Sequence, residues 1–145
     1  MKKTFECEAK LENLEKIMGF VESNLEAINC NMACSMQISL AVEEVFVNIA
    51  HYAYGKLDED GVPIPDTGSG PMSLGLEAEE GSVTLTFTDE GTPYNPLERE
   101  DPDITLSAEE RQIGGLGIFM VKKSMDNVIY EYKNGKNVLT LIKQV

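Results

Sequence analysis

The sequence predicts an α+β chain folded as a two-layer sandwich, with a mixed, mostly antiparallel sheet backed by helices. Three observations carry that expectation. Two long stretches, 11–28 and 32–54, repeat apolar residues at the three- and four-residue steps of a helix packed on a core. Short runs at 71–78, 82–88, 128–133 and 137–142 have the two-residue period of half-buried strands. Turn-forming residues join these runs in pairs, so two hairpins are expected.

The elements follow in chain order. Residues 4–10 alternate, with Phe5, Cys7 and Ala9 on one face, and read as an opening strand. Leu14, Ile17, Met18, Val21 and Leu25 make an amphipathic helix over 11–28, with Glu and Lys between them. Residues 29–31 break it, a second and more apolar helix covers 32–54, and Gly55 is the residue that usually stands just past a helix end. Asp58, Asp60, Gly61, Pro63, Pro65, Gly68 and Gly70 punctuate 56–70 into a mobile surface loop. The hairpin of 71–78 and 82–88 follows, closed by Asp89-Glu90-Gly91-Thr92-Pro93. The segment 94–113 is polar, acidic and broken by proline, with one helical turn expected near Ser107. A stretch of that length without its own core reads as a lid. A helix opens at Ile113-Gly114-Gly115-Leu116-Gly117-Ile118 and runs to about Ser124, and the last hairpin turns at Asn134-Gly135.

Composition limits the function. At 145 residues the chain suits one domain, 1–145. A net charge of -13 weighs against nucleic acid or an anionic membrane as partner, because both need clustered Lys and Arg. Phosphate would have to be held locally, by backbone N–H groups, a metal or a few basic residues. No apolar run approaches the ~20 residues of a membrane span, and the start of the chain is not a signal-peptide core, so a cytoplasmic protein is expected. Cys7, Cys30 and Cys34 have no paired-ligand spacing and read as reduced, packed thiols.

The chemistry concentrates in three motifs. Glu44 and Asn48 sit one turn apart on one helix face, where they can act together. Glu43 lies about 100° away around the helix and cannot share that face. An Asp-x-Gly-x-Pro box, Asp89, Gly91 and Pro93, ends a strand. A Gly-Gly-x-Gly run, Gly114, Gly115, Leu116 and Gly117, starts a helix whose free N–H groups suit an anion. Singly, each has an ordinary explanation: a solvent-margin glutamate, a tight turn, a close connection.

In that order, around a long lid, the motifs resemble the nucleotide-binding module of gyrase-type ATPases, histidine kinases and mismatch-repair proteins, the GHKL superfamily with its Bergerat-type fold. Within it the chain resembles the bacterial anti-sigma-factor serine/threonine kinases, in which a proline stands where relatives have the second glycine of the strand-end box, here Pro93. The resemblance covers essentially the whole chain. It implies that Asn48 is a ligand of a Mg2+ ion bridging the phosphates of ATP, and that Glu44 is the general base. It further implies that Asp89 accepts a hydrogen bond from the adenine amino group, with Gly91 leaving room for the ring and Pro93 in the same box. Gly114, Gly115, Leu116 and Gly117 would close over the phosphates. Tyr52-Ala53-Tyr54 stands where relatives have His-Ala-Tyr, with the lone His51 one residue earlier, and Arg111 lies further before the glycines than the lid arginine of some relatives.

The function so implied is an ATP-dependent kinase acting as an anti-sigma factor, which phosphorylates a small STAS-type antagonist protein and otherwise holds a sigma factor, with a homodimer suggested by the first helix and sheet edge. Two other readings are a nucleotide-gated binding module without turnover and a stand-alone histidine-kinase ATP-binding domain.

Overall fold

The computed structural model describes residues 1–98 and 115–145. The elements are β1 (Lys2–Glu8), α1 (Leu14–Ala27), α2 (Met32–Asn48), β2 (Pro71–Glu79), β3 (Ser82–Asp89), α3 (Gly115–Ser124), β4 (Asn127–Lys133) and β5 (Lys136–Gln144). They form the expected α+β sandwich, a sheet of order β1-β2-β3-β5-β4 with the helices on one face. Every neighbouring pair is antiparallel, so the sheet has no parallel component among the described residues. Two tight hairpins make two of those pairs antiparallel by construction, and β5, not β4, lies beside β3.

Local chemistry explains the boundaries. The first helical stretch opens as a tight 3-10 turn, Leu11–Asn13, before α1. It ends in a Schellman motif: Asn29 takes a positive φ of 55°, its N–H reaches the Glu26 carbonyl at 3.0 Å, and the Cys30 N–H reaches that of Leu25 at 3.0 Å. Asn31 then caps α2, its side-chain oxygen accepting from the Cys34 N–H at 2.9 Å. The last turn, Asn134-Gly135, has φ of 55° and 77°, as a two-residue hairpin requires.

The core lies between the layers. Ile17, Val21 and Leu25 of α1 and Ile38, Ala41, Val42, Val45 and Phe46 of α2 pack onto Leu74, Leu76, Val83, Leu85, Phe87, Leu139 and Leu141 of the sheet. Phe5 stacks on Phe20 with ring centroids 5.4 Å apart, fastening edge strand β1 to α1.

The second helix departs from expectation. The α-helical pattern ends at Asn48, and Ile49–Ala53 form a wider π-helical turn. The displaced Ala53 carbonyl accepts the Thr92 N–H at 2.8 Å, a tertiary bond from the strand-end box. Gly55 follows without a left-handed backbone; it is needed because a Cβ there would run into the backbone of Ile64. Together Met32–Ala53 make a 22-residue helical run, close to the 32–54 stretch expected, whose most apolar 18-residue window has a mean hydropathy of 1.2. Glu43, Glu44 and Asn48 interrupt it, and its Ile38–Phe46 face belongs to the core.

The 56–70 loop is stitched to itself and to the helix end. Ile64 N–H bonds the Lys56 carbonyl at 2.8 Å, Lys56 N–H bonds Thr67 Oγ1 at 2.7 Å, and Asp66 N–H bonds the His51 carbonyl at 2.9 Å. His51 Nδ1 also lies 2.5 Å from Asp66 Oδ1. Of the expected lid, residues to 98 are described and include a 3-10 turn at Pro96–Glu98, while Arg111, Gly114 and the turn near Ser107 lie outside the described residues.

Candidate functional site

The site is built from the C-terminal half of α2, the end of β3 and the start of α3. The apolar side of α2 is committed to the core, which leaves Glu44 exposed and Asn48 half-buried one turn later. The Glu44 carboxylate reaches the first turn of α3: a Cβ placed on Gly117 would stand only 2.2 Å from Glu44 Oε2. A carboxylate there lies beside the N-terminal turn of a helix, the positive end of its dipole. Glu43 instead borders the groove between α1 and α2 with Met18 and Glu22. Gly115 and Leu116 open α3. Lys143 Nζ, 2.8 Å from the Ser124 carbonyl, supplies a cation at the far end of that helix.

Asp89 is the second pole. It is 5% exposed, and its Oδ1 accepts the Gly91 N–H at 2.9 Å and Asn137 Nδ2 at 2.9 Å. Burial pushes its carboxyl above the ordinary aspartate value, and the two hydrogen bonds pull the other way. No hydrogen bond among the described residues engages Oδ2, which leaves a buried acceptor open to a ligand donor. Gly91 lies flat against the π turn, where a Cβ would strike the Ala53 carbonyl. Pro93 is exposed in the turn that follows.

Two residues enter the site that the motifs did not single out. The Tyr54 hydroxyl donates to the Pro71 carbonyl and accepts the Glu90 N–H at 2.7 Å, tying the end of the π turn to both β2 and β3. Burial raises its pKa, which keeps the donating proton in place. Asn137 stands opposite Asp89 in the β3–β5 register and is 7% exposed. One signal pointed to it: position 137 shares the inward phase of β5 with Leu139 and Leu141, and a polar residue in a buried phase needs partners.

Among the described residues no cluster of three or more His, Cys, Asp or Glu could hold a metal by itself. Asn48 offers a side-chain oxygen of the hard kind that Mg2+ takes alongside waters and phosphate oxygens. The open Asp89 oxygen and the N-terminal turn of α3 are chemically suited to a nucleotide with its base towards Asp89 and its phosphates towards α3.

Comparison with known proteins points the same way. The chain is 27% identical over 104 residues to the serine/threonine-protein kinase BtrW of Bordetella bronchiseptica, covering 72% of this chain and 66% of that one. It is 27% identical over 106 residues to the serine-protein kinase RsbW of Listeria monocytogenes, covering 70% and 61%. The aligned part is thus under two thirds of the length of these curated relatives. A chain of the SiaB–SiaC complex from Pseudomonas aeruginosa has the same fold, with a TM-score of 0.61, 14% identity, and coverage of 99% of this chain and 88% of the other. The model of the histidine kinase-like ATPase domain matches residues 7–143, from β1 through β5, and the chain belongs to that family.

Proposed function

We propose that the protein is an Mg-ATP-dependent protein serine/threonine kinase acting in the cytoplasm as an anti-sigma factor. Its substrate is a serine or threonine of a small STAS-type antagonist, its other partner is a sigma factor, and it works as a homodimer. The observation that carries this reading is the Glu44 carboxylate seated against the first turn of α3, on the same helical run whose far end, at Ala53, meets the box that bears the open oxygen of Asp89. The serine-kinase relatives support the same chemistry.

In this reading Asp89 Oδ2 accepts from the adenine amino group, and Gly91, whose missing side chain makes room for the Ala53 carbonyl, holds the strand-end box in place beside it. The N–H groups at Gly115, Leu116 and Gly117, with Gly114 before them, meet the phosphates. Mg2+, when bound through Asn48, neutralises phosphate charge, which counts for more in a chain of net charge -13. Glu44 takes the proton of the attacking hydroxyl as its oxygen bonds to the γ-phosphorus. The bond from that phosphorus to the bridging oxygen breaks, and ADP leaves.

The test is transfer of labelled γ-phosphate to the antagonist, with Glu44→Gln alongside. Acid-stable phosphate on the antagonist, reduced ~10²-fold or more in the variant, is expected. ATP binding with no transfer would favour a nucleotide-gated binder, and acid-labile phosphate a histidine kinase.

A further inference from the structure

Asn137 makes more polar contacts than any role in strand pairing demands. Its Nδ2 lies 2.9 Å from Asp89 Oδ1, 3.0 Å from the Thr92 carbonyl and 3.4 Å from that of Gly91. Its Oδ1 accepts the Tyr94 N–H at 3.2 Å and the Tyr130 hydroxyl. A carboxamide has two N–H protons and one acceptor oxygen, so the group is saturated. Its orientation is also forced, because a flipped amide would set its oxygen against a carboxylate and two carbonyls.

We propose that Asn137 is a positioning residue for base selection: it engages one oxygen of Asp89, aims the other at the ligand, and hangs the root of the 94–98 segment on the same carboxamide. The proposal rests on the nucleotide reading above and adds to it the residue that sets the pocket's preference. With Oδ1 occupied by the Asn137 and Gly91 donors, a ligand meets only the Oδ2 acceptor. A purine with an amino group at that edge satisfies it, whereas a 6-oxo purine puts acceptor against acceptor in a buried site. Because the same amide receives the Tyr94 N–H, the backbone leaving the strand-end box is registered to the pocket.

Other ionisable groups lie near Asp89. The Tyr54 hydroxyl approaches from the end of the π turn, Glu8 from β1, Lys136 from β5, and Glu90 follows Asp89 itself. None of these is among the hydrogen-bond partners that hold the ionised form, which are Asn137 and the Gly91 N–H. Removing the Asn137 donor therefore raises the Asp89 titration further. A protonated Asp89 offers a 6-oxo group the donor that the ionised form denies it.

The experiment uses Asn137→Ala, with Asn137→Asp as a same-sized variant that loses the same donors without opening a cavity. Carboxyl carbon NMR of the nucleotide-free protein reads the Asp89 titration, calorimetry reads ATP and GTP binding between pH 5 and 8, and melting is followed alongside. The expected result is an upward move of the Asp89 titration, about tenfold weaker ATP binding, and an ATP-over-GTP ratio that shrinks by a similar factor and most at acid pH. An unmoved titration overturns the proposal. So does equal weakening of both nucleotides at every pH, which would mark Asn137 as structural only. If the wild type binds ATP but the ratio is insensitive to the variant, this proposal alone falls; if the wild type binds neither nucleotide, the proposed function falls with it.

Discussion

Under the proposed kinase function, replacing Gly117 by alanine should separate catalysis from folding. The added methyl would occupy the space now held by Glu44 Oε2, the far end of an exposed and flexible side chain. The carboxylate can swing to another rotamer at a cost of about 0.5–1.5 kcal/mol. Alanine in a helix recovers up to about 1 kcal/mol relative to glycine, so the two effects nearly cancel, and melting should move by no more than about 4 °C. In the proposed mechanism activity responds differently, because the substitution moves the Glu44 carboxylate off the position assigned to the base. General-base catalysis is worth about 10²–10⁴-fold, and the phosphotransfer rate should fall within that range while ADP affinity stays within about twofold. Initial rates with labelled ATP and the antagonist measure the first quantity, and calorimetry the second. Gly117→Ala combined with Glu44→Gln should be no slower than Glu44→Gln alone, since both remove one interaction. A single Gly117→Ala variant transferring phosphate within threefold of the wild-type rate would refute the placement of Glu44 as base.

Three further outcomes follow from the same geometry. Gly91→Ala meets the fixed backbone carbonyl of Ala53 instead of a movable side chain, so it should cost about 1–3 kcal/mol in chemical denaturation and weaken nucleotide binding as well. Asp89 has a folded-state pKa raised by burial, so its contribution to stability is fully present below the unfolded aspartate value and is lost as pH rises through the folded one. Asp89→Asn should accordingly melt higher than wild type at neutral pH, lose that advantage towards pH 3, and bind ATP at least tenfold more weakly, as paired melting and calorimetry would show. Asn31→Ala removes the cap of α2 and should lower stability by about 1 kcal/mol, or about 2–4 °C in melting, with ATP affinity unchanged.

Much of this architecture is legible in local chemistry. The two hairpins follow from alternating residues and from the Gly81 and Asn134-Gly135 turns, and α1 and α2 from their apolar spacing, because these depend on neighbours within a few residues. The Glu44/Asn48 pair is legible for the same reason: helical periodicity fixes who shares a face. What escaped depends on distant partners. The π turn at Ile49–Ala53 exists beside a strand-end box some forty residues away, and nothing in Ile-Ala-His-Tyr-Ala itself demands it. The place of β5 between β3 and β4 is likewise a tertiary choice. Asn137 carried one faint signal, its inward phase with Leu139 and Leu141, but two residues after Gly135 an asparagine reads as part of the turn, and its register opposite Asp89 is what shows its partners.

The helical run through Glu44, Asn48 and Ala53 also acts as a ruler. Glu44 touches the start of α3 and Ala53 touches the strand-end box, so the two motifs are marked off along one rod. Nine residues at 1.5 Å each set the marks about 13 Å apart, slightly less where the π turn widens the coil. A ligand that answers both marks must itself be long, with a ring at one end and its reacting group at the other. A one-residue insertion between the marks would turn Glu44 by about 100° relative to Ala53 and leave both groups intact but out of reach of the same molecule.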